Sequence, residues 1–282
     1  MPVVTASDGT AIVHDDIGSG RPLLLVHGWA THAGFFAPQS DGLAGSFRIV
    51  APDQRGHRRS HADGQSPTIP QLADDLRALL DGLDLTGVLA VGWSMGAMVL
   101  WRALLDGAAS RIAGMVVVDM APRVLNGTGW ELGLRGGHTR RQTAEVVAAM
   151  TAEWPAVSPR IARRIFAEGR EAENAARIAW AKGEIARNDP QAMASLWESL
   201  TAQDFRADLP RLALPTLVAP GSLSRLYGAG TAAFLVDSLP DARLHAFTRS
   251  GHAPHLEEPE LFNSVLTAFA AGLPPAGAKP TP

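Results

Sequence analysis

The chain has 282 residues, of which 46% are apolar and 19% charged, with a formal net charge of −3. That length suits one large domain or two small ones, the balance is that of an ordinary globular protein, and the charge gives no reason to expect nucleic acid or an anionic membrane as partner. The absence of cysteine excludes disulfides, thiolate metal sites and a cysteine nucleophile; without a signal-like N-terminus or a run of 18 apolar residues, a cytoplasmic protein is expected.

Val3–Val13, interrupted by Asp8-Gly9, is predicted to form a β-hairpin. Short apolar runs then recur at Pro22–Gly28, Arg48–Asp53, Val88–Gly92 and Met115–Asp119. Runs of this kind suit strands buried on both faces of a parallel sheet. Between them, Ile69, Leu72, Ala73, Leu76, Leu79, Leu80 and Leu83 recur at helical spacing, with Pro70 placed for a first turn. A further helix is expected after Ser94, through Met98, Leu100, Trp101, Leu104 and Leu105, ending at Gly107. Alternating strands and helices imply a parallel sheet with helices on both faces.

The pattern changes after Pro122. Residues 126–208 are rich in Ala, Arg and Glu and carry no strand signal. Helices are expected over 139–153, over 158–187 in two pieces, and over 190–200. Strand-like runs resume at Pro215–Pro220 and Ala242–Phe247, each followed by a helical stretch. Residues 1–122 and 209–273 therefore read as an α/β core, 123–208 as a helical insertion, and 274–282, rich in Pro, Gly and Ala, as a disordered tail.

Gly92-Trp93-Ser94-Met95-Gly96 fits G-x-S-x-G. Between a strand and a helix, this pentapeptide makes a sharp turn that exposes a strained serine hydroxyl as a nucleophile, and the glycines leave room for the close approach. Such a serine needs a base. Of nine histidines, His252 lies just after the last predicted strand, where the loop returns to the edge that holds Ser94, with His255 as its rival. His27, ending an inner strand, is expected to shape the pocket floor and touch substrate. The pairs His57/His61 and His252/His255 lack a third ligand, so no metal is expected.

With these residues the chain resembles the α/β-hydrolase family over roughly 3–272. His27-Gly28-Trp29 is similar to its oxyanion turn, Asp53-Gln54-Arg55-Gly56-His57 to its D-x-R-G-x-G loop, and Ser250-Gly251-His252 to its terminal Gly-His. The resemblance implies an α/β-hydrolase fold, places a cap over the helical insertion, and requires no cofactor. It also implies a triad in the order Ser94, acid, His252. The family usually carries its acid after the strand here represented by Pro215–Pro220, but no Asp or Glu occurs between Leu209 and Asp237, and Ser224 stands about where it belongs. A minority places the acid one strand earlier. Val117-Val118-Asp119-Met120-Ala121-Pro122, similar to a small branch of bacterial carboxylesterases, then makes Asp119 the acid; failing that, Ser94 and His252 work as a dyad. By the same resemblance the oxyanion donors are the backbone N–H groups of Trp29 and Met95.

Trp29 and Trp93 flank these elements and are expected to touch substrate, together with one or two of Trp130, Trp154, Trp180 and Trp197. Arg123, Arg135, Arg140, Arg141, Arg160, Arg163 and Arg164 read as a solvated face or, more sharply, as a landing site for an acidic partner or an anionic substrate. His27-Gly28-Trp29 and Gly92-Trp93-Ser94 also resemble bacterial methyl-ester esterases that act on chains tethered to a carrier protein. The expected activity is hydrolysis of a small-molecule carboxylic ester. Lactones and carbon–carbon bonds are alternatives on the same residues, and a ligand-binding protein of weak activity is the alternative of another class.

Overall fold

The computed structural model describes residues 1–61 and 66–275. The first strands, β1 (Val3–Thr5) and β2 (Ala11–Gly18), form the expected hairpin, with Asp8 Oδ1 accepting from Thr10 N at 3.0 Å in its turn. β2 runs five residues past the predicted end and pairs antiparallel with β4 (Phe47–Pro52). β3 (Arg21–Val26), β5 (Val88–Trp93), β6 (Ile112–Val118), β7 (Thr216–Ala219) and β8 (Ala242–Leu244) complete an eight-stranded sheet of order β1-β2-β4-β3-β5-β6-β7-β8. From β4 onward all neighbours are parallel, with Val26 opposite Gly92, Gly92 opposite Val117 and Val118 opposite Ala219. In that register the loops after β3, β5, β6 and β7 leave one edge of the sheet, where open α/β sheets place their sites.

β5 is buried at every residue, so its run of apolar side chains needs no alternation. α1 (Ala37–Leu43), which carries no amphipathic signal in the sequence, packs beside α9 (Pro259–Ala271), near the short α8 (Pro254–Glu257). α2 (Ile69–Gly82) starts at a capping box of Thr68 and Gln71 with Pro70 in its first turn, and packs on α3 (Met95–Leu105). α7 (Ala229–Ser238) lies against β7 and β8.

Between β6 and β7 the chain forms α4 (Arg140–Ile165), α5 (Ala175–Ile185) and α6 (Pro190–Thr201). α4 kinks at Glu153, near the predicted end of the first helix, because Pro155 removes a backbone donor two residues later. The two pieces expected over 158–187 are separated by 166–174, where Phe166 turns extended and Gly169 takes a positive φ. The expected tail lies outside the described residues from 276 onward; before it, the Pro274 carbonyl accepts from Arg21. Among the described residues no helix is long and apolar enough to cross a membrane.

Candidate active site

Ser94 stands between the end of β5 and the start of α3, with φ 54° and ψ −123°. Positive φ is rare in a non-glycine residue and marks stored strain. Its neighbours explain why glycine is needed twice. A Cβ on Gly92 would lie 2.6 Å from Ala97 N, and one on Gly96 would lie 2.1 Å from the Val26 carbonyl oxygen. Ser94 N donates to Val118 O at 3.0 Å, tying the elbow to the adjacent strand end.

Asp119 follows β6 directly and also has positive φ, 44°. Its Oδ2 lies 2.7 Å from His252 Nδ1, with both side chains buried. The imidazole donates from Nδ1, which leaves Nε2 as the basic nitrogen. His252 is held on its backbone as well: its N–H donates to Ile165 O at 2.8 Å and its carbonyl accepts from Trp93 Nε1 at 2.7 Å. Ser94 and His252 open into one cavity without a hydrogen bond between them, a looseness common before substrate draws such groups together. His255, the rival, has no place in that cavity's wall. It is buried against the rings of Phe36, Trp93 and Phe262, and burial drives its pKa down to about 3.

Ser224 occupies the position at which the family usually carries its acid. Its hydroxyl donates to Asp119 Oδ2 at 2.6 Å and accepts from Leu226 N at 3.1 Å and Tyr227 N at 3.3 Å. Asp119 Oδ2 thus receives both His252 and Ser224. Nothing local in the sequence marks that serine; only the missing carboxylate draws attention to it.

His27 is a correction. Its ring, expected to touch substrate, is fully buried and does not line the cavity. Nε2 accepts from Gln54 N at 2.9 Å, so Nδ1 carries the proton and donates to the Gly28 carbonyl at 2.8 Å. Burial, reinforced by His57, holds its pKa well below the usual value, keeping the ring neutral. Thr31 Oγ1 donates to the same carbonyl at 2.8 Å. In a trans peptide the N–H points opposite the C=O. Fixing the Gly28 carbonyl therefore fixes the Trp29 N–H, aimed away from both donors. His57 supports the turn by accepting from Ala30 N at 3.1 Å, and Asp53 Oδ1 accepts from Ala33 N at 2.8 Å. The Asp53–His57 loop thus shapes the 27–33 turn from behind. Met95 opens α3, where backbone N–H groups have no intrahelical acceptor.

The cavity has a volume of about 370 Å³, within the range of small-molecule sites. Trp29 and Trp93 line it, and of the four tryptophans between β6 and β7 only Trp197 does. Trp130 and Trp154 instead spend their indole N–H groups on the carbonyls of Arg123 and Ala186, and Trp180 is 39% exposed.

A model of the alpha/beta hydrolase family matches residues 23–265. The chain is 28% identical over 264 residues to a pimeloyl-[acyl-carrier protein] methyl ester esterase of Nitrosomonas europaea, covering 92% of this chain and all of that protein. Among solved structures, an esterase from Exiguobacterium antarcticum superposes with a TM-score of 0.88 at 24% identity, covering 96% of this chain and 99% of the other. An enol-lactonase from Burkholderia xenovorans superposes with a TM-score of 0.84 at 22% identity, covering 96% and 100%.

Proposed function

Since the chain belongs to the alpha/beta hydrolase family, we propose that it is a serine carboxylic-ester hydrolase acting through an acyl-enzyme on a small or medium acyl ester. The observation that carries this reading is the buried 2.7 Å contact of Asp119 with His252, with Ser94 strained into the same cavity. Residues 1–122 and 209–273 are taken as the catalytic core, and 123–208 as the cap that closes the cavity and selects the substrate.

In this reading Ser94 Oγ attacks the ester carbonyl carbon while His252 Nε2 takes its proton. Asp119 fixes the imidazole tautomer and stabilises the imidazolium. The carbonyl oxygen, now negative, rests between the N–H groups of Trp29 and Met95, where the N-terminus of α3 adds positive potential. Collapse breaks the bond to the alcohol oxygen, which leaves with the proton from His252. Water then gives a proton to His252 and attacks the acyl-enzyme. The acid departs as His252 returns that proton to Ser94.

The relative from Nitrosomonas europaea supports methyl esters of acyl chains as a class to include, with an acyl-carrier protein as one bearer of the chain. A panel of p-nitrophenyl esters tests the reading. Ser94→Ala is expected to fall to background, and Asp119→Asn to lose about 10⁴-fold in kcat. Full activity in Asp119→Asn would remove Asp119 from the mechanism.

A further inference from the structure

The kinked second half of α4 turns one face into the cavity, carrying Val157, Arg160, Ile161, Arg164 and Ile165. That spacing is one helical stripe, so the two arginines lie one turn apart on the same side. Of the other arginines in this cluster, Arg123 pairs with Asp204, Arg135 with Glu168 and Arg141 with Glu145, while Arg140 and Arg163 have no ion-pair partner among the described residues but are exposed and lie outside the cavity wall. These form the solvated face expected of them. Arg160 and Arg164 have no ion-pair partner among the described residues, and no Asp or Glu contributes to the described wall of the cavity.

The surroundings of Arg164 sharpen the contrast. Arg164 lines the cavity with part of its side chain still exposed; partial burial there disfavours its charge and draws its pKa below the usual arginine value, and Arg225 opposes the charge further while Tyr227 favours it. His138, also in the wall, is pushed toward its neutral form by burial and then by Arg164. An arginine remains charged in such a place. Like charges at i and i+4 on a helix also repel. A positive cavity without a counter-charge is what a bound anion completes. The planar guanidinium, with paired donors, matches a carboxylate in geometry as well as sign.

We infer that the substrate carries a carboxylate at the end remote from the scissile ester, and that Arg160 and Arg164 hold it. The inference rests on the hydrolase reading and deepens it: the apolar wall takes the chain between the reacting ester and the charged end.

The test compares p-nitrophenyl hemiesters of adipic and suberic acid with the neutral p-nitrophenyl hexanoate and octanoate. For at least one length, the wild-type kcat/KM for the hemiester is expected to exceed its neutral counterpart about tenfold or more, and the ratio to decline as salt is raised. Arg164→Met is expected to lower that ratio about tenfold, and Arg164→Lys to restore part of it. Arg163→Met, one residue away and outside the cavity wall, is expected to keep the wild-type ratio. Hemiesters no better than their neutral counterparts, or an Arg163→Met effect as large as that of Arg164→Met, would overturn the inference. Turnover of the neutral esters reports on the hydrolase reading separately. If no ester is turned over, calorimetric titration of Ser94→Ala with adipate and suberate decides: binding that Arg164→Met abolishes sustains the anion site, and no binding ends it.

Discussion

Asp119→Gly removes the carboxylate oxygen 2.7 Å from His252 Nδ1 while keeping a residue at ease with φ 44°. At that separation, with an effective dielectric of about 20, the attraction between carboxylate and imidazolium amounts to about 6 kcal/mol. At 1.36 kcal/mol per decade, the loss corresponds to roughly 10⁴ in rate. Ser224 offers the means to recover part of it. Its hydroxyl already reaches Asp119 Oδ2 at 2.6 Å, so an aspartate there, one atom longer, extends toward the space that oxygen vacates. In the Asp119→Gly background, Ser224→Asp is expected to raise kcat/KM by about 10- to 100-fold, or roughly 1.4–2.7 kcal/mol. In the wild-type background the same change sets two buried carboxylates side by side and is expected to lower both activity and stability. The assay is p-nitrophenyl ester hydrolysis, with circular dichroism to confirm that each variant is folded. A folded double variant no faster than Asp119→Gly would refute the reasoning that the two positions serve one histidine nitrogen.

Other outcomes follow from the same contacts. Gly96→Ala sets a Cβ 2.1 Å from the Val26 carbonyl and is expected to cost about 3 kcal/mol in denaturant unfolding, along with activity. His255, with a pKa of about 3 in the fold against 6.5 for a free histidine, contributes stability that is full above pH 6.5 and lost as pH falls toward 3. His255→Leu also removes two buried ring nitrogens without partners, so its unfolding curves are expected to be less acid-sensitive across that window. Glu257 runs the opposite way. Burial raises its pKa from 4.5 to about 7, although Ala167 N, Gly251 N and Asn174 Nδ2 all donate to it. Its contribution is full below pH 4.5 and declines as pH rises to 7, by at most about 3 kcal/mol. The stability of Glu257→Gln relative to wild type is therefore expected to improve across that window, as followed by thermal unfolding.

Much of the fold was legible because its strands are continuous apolar runs and its helices keep strict spacing, as in β5 and α2. The tight turn at Ser94 is legible because a strand pattern enters it and a helix pattern leaves it. Asp119 came from an absence, the lack of any carboxylate between Leu209 and Asp237. The rest depends on contacts between residues distant in sequence. His27 was expected to meet substrate, but its ring turns back to the Gly28 carbonyl because Gln54 N occupies Nε2. Ser224 and Asp119 meet across 105 residues, and a serine carries no signal of such a partner. α1 carries no sequence signal because its seven residues, including a proline and a glycine, keep no periodic face. The charge pattern of 123–208 could not show which arginines would find acids and which would face the cavity.

In the proposed reaction Ser94 carries the acyl group, and peptide mass mapping after treatment with a fluorophosphonate probe tests this directly. The expected result is one adduct, on the peptide carrying Ser94, lost in Ser94→Ala and slowed strongly in Asp119→Asn. Folded wild-type protein that takes no label, or takes it on another residue, would contradict the claim.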